Sequence, residues 1–144
     1  MRIPILLGLL LCAALAQAEG VRFQAEGGWA AAQAPEEAQT FIGHVVLINQ
    51  GDLPLRFVAA GSADFRLVEF RELHQEDGFK TTRTVAAIEI PAHGRLALGQ
   101  DGVYLALQQP VRRVIRGGIV VIDLITEEGD PLPVALNIRA TADP

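Results

Sequence analysis

Residues 69–85, "EFRELHQEDGFKTTRTV", gather the side chains of this chain best suited to chemistry: the imidazole of His74, with the carboxylates of Glu72, Glu76 and Asp77 within three residues of it. Nitrogen and oxygen donors of that kind suit copper(II) or zinc. A stable site needs three or four converging ligands, so His74, Glu72 and Glu76 are candidate ligands only if the fold brings them together. Otherwise the segment is a solvated acidic turn. His93, in "PAHGR", reads as a surface turn residue, and His44, inside an apolar run, reads as packed or locally hydrogen-bonded.

The chain carries no signature of catalysis. It has no nucleophile elbow, no Walker loop and no His-Glu-x-x-His pair, and its one serine, Ser62, has no histidine near it in sequence. The expectation is a protein that is not an enzyme. Gly117-Gly118 precedes a β-rich run rather than a helix, so the helix N-terminus that would bind a phosphate is missing there. Arg112, Arg113 and Arg116 in "PVRRVIRGG" read as solvated charges beside a turn, with a docking patch as the alternative.

The elements that must position these residues begin after a leader. "MRIPILLGLLLCAALAQA" has one arginine, an apolar run and a small-x-small ending, which is the pattern of a secretory signal peptide over residues 1–18. The run is shorter than the roughly 20 residues that cross a bilayer, and no later segment could span. Cys12 follows two leucines rather than small residues, so lipid attachment at that cysteine is not expected. The mature chain, residues 19–144, then contains no sulfur atom and no disulfide, and its stability must come from a packed core.

Loss of Arg2 leaves eleven basic side chains against seventeen acidic ones, a net charge of −6 with histidine neutral. That surface is a poor partner for nucleic acid. Together with the leader it points to a periplasmic or secreted location.

Seven or more short β-rich runs follow one another, starting at His44, Leu55, Phe65, Thr84, Val103, Gly118 and Leu132. Turn formers separate them, among them Asp77-Gly78, Pro91-Ala92-His93-Gly94 and Glu128-Gly129-Asp130. In the last run Val134, Leu136 and Ile138 alternate with Ala135, Asn137 and Arg139, giving one buried and one wet face. Pro35 interrupts the helix-forming residues around it. The pattern predicts a single all-β domain, an antiparallel sandwich with a barrel as the alternative.

The order of features resembles the periplasmic copper chaperones of the PCu(A)C type. The likeness is carried by Trp29, by Asn49-x-Gly51, by "LRFVAAGSADFRLVEFRE", the acidic turn "EDGFKTTRTV", "AAIEIPAHGRLAL", "DGVYLALQ" and the "RVIRGG" turn before "IVVIDLITEEG". The resemblance implies a cupredoxin-like β-sandwich and a role in copper delivery or in assembly of copper enzymes, with assembly proteins of the bacterial envelope as partners. It also implies a copper site of the pattern His, ten residues, Met, twenty-one residues, His, one residue, Met. Anchored on the Asp-Gly turn, those positions fall on Arg71, Thr82, Tyr104 and Ala106.

The spacing is kept and all four ligands are replaced. Copper(I) is soft and favours thioether sulfur and imidazole, so the expectation is a degenerate copper(I) site with no cofactor, copper being implied by the family alone. The alternative is a metal-free interaction module that uses Arg71, Tyr104 and their neighbours as a contact surface.

Overall fold

The computed structural model describes residues 22–33, 39–99 and 102–139. The leader expected at residues 1–18, Cys12 within it, and the segment around Pro35 lie outside the described residues. Ten strands follow one another: β1 (Phe23–Ala32), β2 (Thr40–Asn49), β3 (Leu55–Gly61), β4 (Phe65–Glu76), β5 (Phe79–Thr84), β6 (Ile88–Ile90), β7 (Arg95–Leu98), β8 (Val103–Pro110), β9 (Ile119–Thr126) and β10 (Pro131–Arg139). No helix among the described residues is long and apolar enough to cross a membrane.

The strands hydrogen-bond in the order β5-β4-β8-β2-β1-β10-β9-β3-β6, with β7 alongside β2. A single pairing, Ala60 with Val68, joins β3 back to β4. The sandwich is therefore closed on itself like a flattened barrel, so both predicted architectures are present in part. All pairings are antiparallel except β1 with β10, where Trp29 faces Asn137 in a parallel register.

Period-two alternation explains which side of each strand is buried. Leu47 and Val45 of β2, Phe70 and Val68 of β4, Leu105 and Leu107 of β8, Ile122 and Leu124 of β9, and Leu136 and Val134 of β10 all point into one core around Phe57. Full burial of each such side chain is worth about 1.5–3 kcal/mol. Edge-to-face aromatic pairs close the two ends, Phe23 with Phe57 at 5.6 Å and Phe41 with Phe65 at 5.7 Å between ring centroids.

The run expected from Thr84 is divided, with Thr84 ending β5 and β6 beginning at Ile88, and two further strands, β1 and β7, lie outside the expected runs. β7 is only four residues long. β1 hides its alternation because the register shifts between Glu26 and Trp29, where Gly27 adopts φ 63°. That one-residue bulge moves the core-facing set from Phe23 and Ala25 to Ala30, and turns Trp29 and Ala31 to the outer face.

Candidate functional site: the outer face of β5, β4 and β8

Asp77 and Gly78 both have positive φ, 50° and 83°, the conformation of a two-residue hairpin turn that Asp-Gly adopts at little strain. The turn fixes the register of β4 on β5: Arg71 opposite Thr84, Leu73 opposite Thr82, His74 opposite Thr81. On the other side β8 sets Arg71 opposite Tyr104 and Glu69 opposite Ala106. Directly opposed residues share a face, so Arg71, Thr82, Tyr104 and Ala106 all lie on the outer face of these three strands. The four residues on which the resemblance places ligands therefore share one face.

What they carry there is a hydrogen-bonded polar network. Arg71 Nη2 donates to Thr82 Oγ1 at 2.9 Å, and Arg71 Nη1 donates to Glu69 Oε1 at 3.1 Å and to Thr84 Oγ1 at 3.3 Å. The Glu69 carboxylate also accepts from Gln108 Nε2 at 2.8 Å and from the Thr84 hydroxyl at 3.4 Å. Tyr104 and Ala106 form the floor beside it, 6% and 1% exposed. Glu69, Thr84 and Gln108 were not singled out in the sequence. Glu69 lies two residues before Arg71, Thr84 opposite it across the hairpin, and Gln108 on β8 opposite Leu67, so their convergence becomes readable only once the β4–β5 and β4–β8 registers are known.

The candidate ligands His74, Glu72 and Glu76 occupy the opposite face, Glu72 in the last β4–β8 pair with Val103, and His74 and Glu76 on the part of β4 that runs beyond β8. The Glu72 carboxylate is taken by Arg83, whose Nη2 and Nε donate to Oε1 at 2.7 and 3.1 Å. His74 Nε2 lies 3.3 Å from Glu76 Oε2. The structure thus joins His74 to Glu76 and ties Glu72 to a cation. Among the described residues no group of three or more His, Cys, Asp or Glu side chains could hold a metal ion.

The other histidines are held elsewhere. His93 sits in its turn with φ 56° and its Nε2 lies 2.8 Å from Asp52 Oδ1. His44 stacks on Trp29 with ring centroids 3.9 Å apart and planes within 3°, and Arg139 lies over the same indole at 4.3 Å. His44 is two strands from His74 and on the other face of the sheet, which rules out a shared set of ligands.

Residues 23–138 match the family model described as "Putative lipoprotein LpqE-like". No curated protein matches the chain. Among solved structures the chain is similar to the copper-bound PCuAC domain from PmoF2 at 22% identity and a TM-score of 0.65, covering 84% of this chain and 96% of that one. It is similar to copper(I)-DR1885 from Deinococcus radiodurans at 24% identity and 0.65, covering 91% and 87%. The apo PCuAC domain from PmoF1 matches at 19% and 0.64, covering 82% and 93%. This single all-β domain therefore belongs to the LpqE-like family and has the fold of the PCuAC domains.

Proposed function

We propose that this chain is an extracytoplasmic, non-enzymatic assembly factor on the copper-chaperone fold that does not carry copper(I) at the family's positions and works through protein contacts. The observation that carries the reading is the 2.9 Å hydrogen bond from Arg71 to Thr82, which links two of the four positions directly. A guanidinium has no lone pair to give and keeps its positive charge. A cation brought beside it meets repulsion instead of a donor. Thr82 contributes a hard hydroxyl already engaged, Tyr104 a phenol, and Ala106 a methyl group. Residues 19–144 contain no sulfur at all.

Copper(I) as cargo fits this donor set poorly. Tyr104 is buried beneath the network and leaves Arg71, about a quarter exposed, as the side chain of a type enriched in protein-contact hot spots, and the resemblance supports copper-enzyme assembly proteins of the envelope as the partners. The leader at residues 1–18 and the family description support the location.

Altered ligation by His74 and Glu76 is the second reading, favoured by their 3.3 Å approach. It supplies two donors where a structural or transport site needs three or four. An anaerobic copper(I) titration against a competing chelator, run beside a copper(II) titration with a His74→Ala control, separates the readings. No retention of either ion supports the proposal; His74-dependent copper(II) uptake replaces it with altered ligation.

A further inference from the structure

The loop between β8 and β9, residues 111–118, has the sequence "VRRVIRGG". Val111 and Ile115 are 50% and 61% exposed, and Ile119, the first residue of β9, is 57% exposed. The three arginines interleaved with them are exposed as well. Arg112 is held by Asp64, Nε to Oδ1 at 2.6 Å, and among the described residues neither Arg113 nor Arg116 makes an ion pair.

We infer that this loop is a contact element for an anionic lipid surface. The chain as a whole is acidic, with a formal charge of −5, yet here three arginines cluster beside one carboxylate, Asp64, which Arg112 neutralises, so Arg113 and Arg116 remain as unbalanced positive charges. That local sign complements a negatively charged surface. Aliphatic side chains that alternate with arginines match the layering of a bilayer boundary, where the guanidinium stays at headgroup phosphate level and the aliphatic carbons reach slightly deeper.

Shape selects lipid over an acidic protein. Gly118 N–H donates to Ile115 C=O at 2.9 Å and Gly117 has φ 89°, so Arg116 and Gly117 form the crest of a tight turn with the exposed Ile115 at its shoulder. A crest needs a matching pocket on a rigid partner, whereas a headgroup layer deforms around it. The turn is braced from below, because Gly117 N–H donates to Ile138 C=O and Ile138 N–H to Gly118 C=O, at 2.8 and 2.9 Å.

The loop's position also leaves the Arg71 face free. Phe65, at the start of β4, pairs with Pro110 beside the loop, and β4 then runs twelve residues to Glu76 at the opposite end. At about 3.3 Å per residue the hairpin tip lies roughly 40 Å away. A chain docked through residues 111–119 would point the hairpin away from the lipid.

Flotation of the exported, processed protein with phosphatidylcholine vesicles, and with the same vesicles containing phosphatidylglycerol, tests the inference. Binding is expected on the anionic vesicles alone and is expected to weaken as salt rises. Each arginine is worth about fivefold, so Arg113→Glu with Arg116→Glu should lower partitioning at least tenfold. Ile115→Ser should lower it severalfold while the salt dependence persists. All three side chains are exposed, and circular dichroism checks that the variants fold. Equal binding to both vesicle types, parent-like binding of the double variant, or loop-dependent self-association or capture by an acidic protein without vesicle binding would overturn it.

Discussion

Arg71 and Thr82 stand eleven residues apart in the chain and 2.9 Å apart in space, joined by a hydrogen bond across the β4–β5 hairpin. The resemblance to copper chaperones assigns a ligand to each of these two positions, and here the two hold one another. The hairpin turn, the β4–β5 register and the alternation of β4 are all required for that contact, so it ties the chemistry of the face to the fold that makes it.

Truncation tests whether the network acts as a unit. Arg71→Ala and Glu69→Ala should each destabilise by about 1–2 kcal/mol, because the pair is charge-assisted but still about a quarter exposed. The double variant should lose less than the sum, with a coupling of about 1 kcal/mol in a urea-denaturation cycle. Strict additivity would mean that the two groups stabilise the protein separately.

Gly28→Ala should be far more damaging than Gly78→Ala. A Cβ at Gly28 would stand 2.5 Å from the backbone oxygen of Ala135 and 2.8 Å from Leu136 Cδ2, where β1 lies against β10. Strain of that kind costs about 2–4 kcal/mol. At Gly78 nothing crowds the added methyl, and only its φ of 83° opposes the change, at about 1 kcal/mol. Thermal unfolding of the two variants checks the order.

Asn49 gives a third test. It is 2% exposed; its Nδ2 donates to the carbonyls of Leu53, Ile90 and Pro91, and its Oδ1 accepts from Gly51 N–H. It pins the β2–β3 turn to the end of β6. Asn49→Ala leaves those carbonyls without their donor and should cost about 2–4 kcal/mol in chemical denaturation. Asn49→Asp should be no milder, since it replaces the donor with an acceptor.

The hairpin and β10 were legible in the sequence for physical reasons: Asp77-Gly78 has the left-handed preference the turn demands, and Val134, Leu136 and Ile138 alternate without interruption. β1 was not legible, because the bulge at Gly27 puts its two halves out of phase. Nothing local reports the parallel pairing of β1 with β10 either, since that pairing is a long-range choice. At the site, the registers of β4 on β5 and β8 put Arg71, Thr82, Tyr104 and Ala106 on one face. The partners Glu69, Thr84 and Gln108 stayed hidden, since a cross-strand register cannot be counted along the chain. Glu72, read beside His74 in the sequence, is drawn to Arg83 across the hairpin, which a reading in one dimension could not foresee.

On the proposed reading, the backbone keeps the positions that the resemblance assigns to a copper site while the side chains there no longer supply its ligands. The most direct measurement compares the parent with the variant Arg71→His, Thr82→Met, Tyr104→His, Ala106→Met in one anaerobic copper(I) competition against a chelator. Ala106 is buried, so its methionine should lower stability by about 1–3 kcal/mol, and folding is checked first. The parent should leave copper with the chelator, and the folded variant should withdraw one equivalent. Tight copper(I) binding by the parent would contradict it.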